Sequence, residues 1–211
     1  MIRFSPSKLV PLIAVLALSG CSALSALSDA SQPLDVFDLR APTDVRQATR
    51  ALPLSLTVEL PTTGGALQTD RILIRPSPLQ AQYLPDVRWS ETTPVFVQTL
   101  MLRSLEDTGA FRYIARTPLG GTSDIAILTE ITNFEAETAG EDMPVTIRLR
   151  ISSSLVRERD ARITASRSFT ATAQATDTDA QSVVEAFDRA SQSLLSEFAA
   201  WTASSLGARL R

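Results

Sequence analysis

Two long segments of two-residue alternation, one directly after the other, constrain this chain more than anything else in it. Val145, Ile147, Leu149, Ile151 and Leu155 share one parity, and Thr146, Arg148, Arg150, Ser152 and Ser154 the other. After Glu158 to Ala161, the same pattern resumes with Ile163, Ala165, Phe169, Ala171 and Ala173 against Thr164, Ser166, Ser168, Thr170 and Thr172. Side chains of a strand point alternately to opposite faces, so each segment is a strand with one apolar and one polar face. Such half-buried sheets are most often antiparallel. A third long strand, Asp124 to Phe134, precedes them. A helix from about Asp179 to Leu206 follows, with Phe187, Ala190, Leu194, Phe198 and Trp201 on one stripe. Thr178 to Gln181 fits a capping box, and Gly207 is a suitable stop.

The N-terminal half repeats the alphabet with shorter words. Val36 to Leu39, Leu54 to Leu60, Arg71 to Arg75 and Phe111 to Arg116 read as strands, and Tyr83 to Trp89 as a compact connector turning at Pro85-Asp86. A helix starts at Pro94, capped by Thr93. It carries Val97, Leu100, Met101 and Leu105 on one face and ends at Gly109. The expected class is α+β: a mainly antiparallel sheet with two principal helices packed on one face.

The first residues are of another kind. Arg3 and Lys8 precede a short apolar run, Leu9 to Leu18, too short to span a bilayer, which takes about 20 apolar residues. The run ends in Leu18-Ser19-Gly20-Cys21, which resembles the lipobox of bacterial lipoproteins. Residues 1–20 are therefore expected to be a signal peptide, cleaved between Gly20 and Cys21, with lipid (diacylglyceryl and a fatty acyl chain such as palmitate) on Cys21. Residues 21–34 read as a lipidated tether, 35–206 as the folded domain and 207–211 as a tail. Ser22, by analogy with enterobacterial sorting, favours the outer membrane over the inner one.

Cys21 is the only cysteine and there is no histidine. With Cys21 lipidated, no disulfide, thiol nucleophile, His base or Cys/His metal ligand remains, so no cofactor and no enzymatic role are expected. Cleavage removes Arg3 and Lys8 and takes the formal charge from −3 to −5, a poor balance for binding nucleic acid. Glu135 with Glu137, and Glu141 with Asp142, read as a polar loop rather than a catalytic pair. Arg148, Arg150 and Arg157 read as a solvated strand face that could also meet an acidic partner or lipid headgroups. Asp70-Arg71 reads as a solvated ion pair at a strand start, and Arg88-Trp89 as a core anchor or a partner surface.

The run Leu67 to Pro76, the segment Tyr83-Leu84-Pro85-Asp86-Val87-Arg88-Trp89-Ser90-Glu91, the Pro-led helix, Leu105 to Phe111, Phe134-Glu135 and the final helix with Trp201 together resemble the ABC-type transport auxiliary lipoprotein component family, which includes the PqiC-type lipoproteins. The resemblance covers about residues 35–202. It implies a non-enzymatic accessory, lipid-anchored at the periplasmic face of the envelope. Its implied partners are an MCE-domain protein and an ABC permease and ATPase that move lipids between membranes. It marks Asp70, Arg71, Tyr83, Arg88 and Trp89 as the motif to locate. The chain has neither a phosphate loop nor spanning helices, so it is not expected to be the ATPase or permease itself. A second copy of the chain is a further candidate partner. The competing readings are an assembly lipoprotein scaffolding another outer-membrane complex, and a lipid carrier with its own apolar cavity.

Overall fold

The computed structural model describes residues 33–138 and 144–211. Gly20, Cys21, the tether up to residue 32, Glu141 and Asp142 lie outside the described residues. In chain order the domain runs β1 (Asp35–Phe37), β2 (Leu52–Val58), β3 (Thr62–Thr63), β4 (Arg71–Ser77), β5 (Gln80–Trp89), α1 (Thr93–Asp107), β6 (Phe111–Ala115), β7 (Ile125–Glu137), β8 (Thr146–Arg157), β9 (Arg162–Gln174) and α2 (Ala180–Ser205).

Strand β7 is the spine. One edge pairs antiparallel with β8 along nearly its whole length, and β8 pairs likewise with β9. The other edge is shared in series by β2 at Ile125–Ile127, β3 at Glu130–Ile131 and β4 at Glu135–Glu137, all parallel to β7. Outside these lie β6, parallel to β2, then β5, antiparallel to β4, and β1, parallel to β5. The expectation of a mainly antiparallel sheet is therefore corrected. Among the described residues five of the eight strand pairings are parallel, and the sheet is mixed. The alternation of β8 and β9 does produce a long antiparallel pair. What it does not encode is that three short strands must share the other edge of β7, each returning to it in the same direction.

A register shift in β7 between Ile131 and Asn133 changes its parity, so Ile127, Ile131, Phe134 and Ala136 all face the core. Helix α2 buries Phe187, Ala190, Leu194 and Phe198 on that face, with Trp201 half-buried, and Phe169 of β9 meets Phe198 and Trp201 edge-on. Helix α1 buries Phe96, Val97, Leu100, Met101 and Leu105 beside it. Both helices cover the core face, as expected. The opposite face of β8 and β9 carries ladders of hydroxyls, Ser152 against Ser168 and Ser154 against Ser166, each pair at 2.8 Å.

Several boundaries differ from expectation. Thr92, not Thr93, caps α1; Thr93 is its first residue and donates both its N–H and its hydroxyl to the Thr69 carbonyl. Asp179, not Thr178, caps α2, because its carboxylate reaches the N–H of Ser182 at 3.0 Å. Tyr83 to Trp89 is not a connector but the inner part of β5. Pro85-Asp86 forms a bulge within it, with Asp86 at φ +59°, and the actual turn is at Pro78-Leu79. Gly207 ends α2 at φ +94°, its N–H bonded to Ser204 and that of Ala208 to Ala203. The residues after it return to the domain: Arg211 donates to Gln47 and Ala48 bridges Leu210.

Candidate functional site

The five motif residues come together on β4 and β5. Trp89 ends β5 with its N–H donating to the Asp70 carbonyl at 2.7 Å. Arg88 reaches back over this junction, with Nη1 3.2 Å from Asp70 Oδ2 and 3.2 Å from the Trp89 carbonyl. Arg71 pairs in register with Arg88 and donates from Nη2 to the Leu84 carbonyl at 3.2 Å, which ties the bulge down. The Tyr83 hydroxyl donates to the Ala66 carbonyl at 3.1 Å. Four polar side chains thus bind the 66–71 segment to the bulged strand, and one aromatic locks the result to the core.

That aromatic is 1% exposed. The Trp89 ring stacks on Phe96 of α1 at 5.3 Å, and meets Phe134 of β7 at 6.1 Å and Phe187 of α2 at 5.3 Å edge-on. The cluster joins four elements through one side chain, and such pairs contribute about 0.5–1.5 kcal/mol each beyond burial. The arrangement is a clamp, with a buried ring and backbone-directed cations. Of the two readings of Arg88-Trp89, the geometry is that of the anchor.

Charged groups at the end of β7 form a second constellation, and Glu135 and Glu137, expected in a loop, are instead strand residues there. Glu135, 2% exposed, accepts from Arg75 Nε at 3.2 Å and from Asn133 Nδ2 at 2.7 Å. Beside it Arg148 holds Glu137 through two bonds of 2.8 Å, and these bonds keep the Glu137 carboxyl below its ordinary range. Arg75, Pro76, Pro78, Glu135, Glu137 and Arg148 line a groove of about 1070 Å³. Arg150 is exposed, and Arg157 pairs with Asp160 at 3.4 Å. At the other end of β7, Asp124 accepts from the N–H and hydroxyl of Ser55 at 2.7 and 2.8 Å, which lowers its pKa. A groove of about 880 Å³ opens there between Arg112, Tyr113 and Arg157.

Sequence reasoning missed the pairing of Arg75 with Glu135, and that of Arg40 with Asp188. Arg40 binds Asp188 through its backbone N–H at 3.0 Å and through its guanidinium, fastening the entry segment onto α2. The partners are 148 residues apart, and no local pattern relates them. The only signal was an acid on the buried side of an amphipathic helix.

Among the described residues no group of three acidic, Cys or His side chains is placed to hold a metal ion, and no helix is long and apolar enough to cross a membrane. Between the helices and the sheet a void lined by Val97, Leu100, Phe134, Leu149, Ile151 and Leu194 holds only about 10 Å³. That is room for about one water at most, and far too small for an acyl chain. There the layer is filled by side chains, which weighs against the lipid-carrier reading.

A mixed sheet with two helices on one face, tied together at a Tyr-x-x-x-x-Arg-Trp bulge, defines an α+β domain. The chain belongs to the ABC-type transport auxiliary lipoprotein component family, whose sequence model matches residues 37–199. It is 28% identical over 169 residues to uncharacterized protein bll6063 of Bradyrhizobium diazoefficiens, covering 79% of this chain but only 44% of that longer protein. The crystal structure of protein XCC0632 from Xanthomonas campestris has the same fold, with TM-score 0.73 and 24% identity over 81% of this chain and 95% of that one. A second crystal structure, of an uncharacterized protein, superposes with TM-score 0.61 at 14% identity, covering 83% of this chain and all of that one. The family is one of auxiliary lipoprotein components of ABC-type transport.

Proposed function

We propose that this chain is a non-enzymatic accessory of an ABC/MCE-type envelope transporter for lipids or similar hydrophobic molecules, held by lipid on Cys21 at the periplasmic face of the outer membrane. The carrying observation is the family match over residues 37–199, downstream of a complete lipobox at Leu18 to Cys21. The site geometry supports it. The family-like motif builds a clamp rather than a reaction centre, and the polar sheet face is open for docking. The partners of this reading are an MCE-domain protein, the permease and the ATPase.

The test is affinity isolation of the full-length protein from detergent-solubilised envelopes, with Cys21→Ala beside it. Co-isolation of an MCE-domain protein supports the reading. Isolation with outer-membrane assembly factors alone replaces it with the scaffold reading. Cys21→Ala is expected to abolish labelling by radioactive palmitate and to move the protein to the soluble periplasmic fraction.

A further inference from the structure

The β4–β5 hairpin leaves the sheet. Strand β4 pairs with β7 only at Leu73–Arg75, and β5 pairs with β1 only at Val87–Trp89. From Pro76 outward, among the described residues, the hairpin has no neighbouring strand on either side. Its end is fully in solvent: Ser77, Pro78, Leu79, Gln80, Ala81, Gln82 and Tyr83 are all exposed, Leu79 at 99% and Tyr83 at 40%.

Projecting strand edges in water are normally protected by charged side chains. This one has none. The ten residues Pro76 to Pro85 contain no Asp, Glu, Lys or Arg, in a chain that is 20% charged. Protection comes instead from prolines. Pro76 and Pro78 carry no N–H, so the free edge presents fewer unpaired donors. Removing charge and donors lowers the cost of leaving water, and is what a surface entering a lipid interface requires. The turn itself presents a bare Leu flanked by prolines and uncharged polar residues, whereas Tyr83, level with Leu73, keeps its hydroxyl on the Ala66 carbonyl. The other exposed apolar residues, among them Leu60, Leu128 and Ile163, do not share this setting; Leu128 stands in register with Ser154 on the hydroxyl-bearing face.

Chain direction says which surface lies near. Strand β1 is parallel to β5, and β5 runs from the hairpin tip inward. The chain therefore enters this domain at Asp35 from the tip side. Cys21 lies 14 residues upstream of Asp35, a span of at most roughly 46–50 Å of extended chain. From Arg71, level with the part of β5 that pairs with β1, strand β4 runs six residues to Ser77 beside the turn, roughly 20 Å, well within that reach.

We propose that the hairpin tip, Leu79 with Pro76 and Pro78, rests in the headgroup layer of the membrane that holds Cys21, and orients the domain on it. This rests on the reading of Cys21 as a lipid anchor.

The experiment uses the full-length protein, matured and lipidated in cells, in vesicles of phosphatidylethanolamine and phosphatidylglycerol containing nitroxide-labelled lipid. A nitrobenzoxadiazole reporter is placed through Leu79→Cys, and in a separate sample through Ile163→Cys. The Leu79 reporter is expected to shift to the blue and to be quenched several-fold more than the Ile163 reporter. With the reporter at Gln82→Cys, adding Leu79→Asp is expected to reduce quenching several-fold while flotation with the vesicles is unchanged. Equal quenching at positions 79 and 163, or none at 79, in protein that floats overturns the proposal. So does shielding at 79 that appears only when a partner protein is added. If the wild-type protein fails to float, or Cys21→Ala floats equally well, the anchor reading has failed instead, and flotation reports this independently of the reporters.

Discussion

Replacing Trp89 by Ala separates the anchor reading of the Arg88-Trp89 motif from the docking reading. Trp89 is 1% exposed, and its ring touches Phe96, Phe134 and Phe187, which arrive from α1, β7 and α2. Truncating a buried aromatic of this size costs about 3–5 kcal/mol, from lost transfer energy and the cavity left behind. The three ring contacts are included in that figure, since the cavity and the lost contacts are one event. Whole domains have only about 5–15 kcal/mol to lose. With a urea slope of about 2–3 kcal/mol/M, the unfolding midpoint should fall by about 1–2.5 M. Arg88→Ala removes a half-exposed ion pair worth about 0–1 kcal/mol, so its midpoint should fall by less than about 0.5 M. Far-UV circular dichroism in urea measures both, and does not depend on the tryptophan signal. A Trp89→Ala midpoint within error of wild type, accompanied by loss of partner co-isolation, would refute the clamp and restore the docking reading.

Arg75→Ala strands the buried Glu135 carboxylate without its cation and should cost about 3–5 kcal/mol, whereas Arg75→Met with Glu135→Leu should recover most of the loss in the same urea assay. Burial pushes the Asp188 carboxyl up, but hydrogen bonds from Arg40 and Gln192 outweigh it and hold the group below its usual value of 3.8. A depressed carboxylate stabilises the fold above its unfolded pKa, and that contribution disappears as pH falls through the folded value. Thermal unfolding between pH 2 and 5 should therefore show a steeper acid loss for wild type than for Asp188→Asn; parallel curves would remove the latch from the account. Gly207→Ala forces a side chain into the left-handed conformation at φ +94°, and should cost about 1–2 kcal/mol, read as a lower melting temperature.

The motif was partly visible before the fold was known. Tyr83, Arg88 and Trp89 stood out as residue types, and Trp89 beside a turn suggested an anchor. The geometry that makes them a unit was hidden, because Pro85-Asp86 looks like a chain-reversing turn. The same dipeptide sits inside a strand as a bulge, where register with β4 and the Arg71 bond to Leu84 hold it. Chemistry decides that Asp86 can take a positive φ; only neighbouring strands decide that the chain continues past it.

Local periodicity alone determined that β8 and β9 would be long amphipathic strands, that α2 would bury Phe187, Ala190, Leu194 and Phe198, and that Gly207 would end it. Each follows from side-chain geometry within a few residues, which any copy of the segment must obey. Tertiary structure decided the rest: that β2, β3 and β4 line up in parallel along one edge of β7, that Arg75 meets Glu135, and that Arg40 closes on Asp188. A strand's alternation is the same whichever way it runs, so direction is set by the connections and by which edge is still unpaired. An ion pair across 148 residues exists only after the chain has brought its ends together.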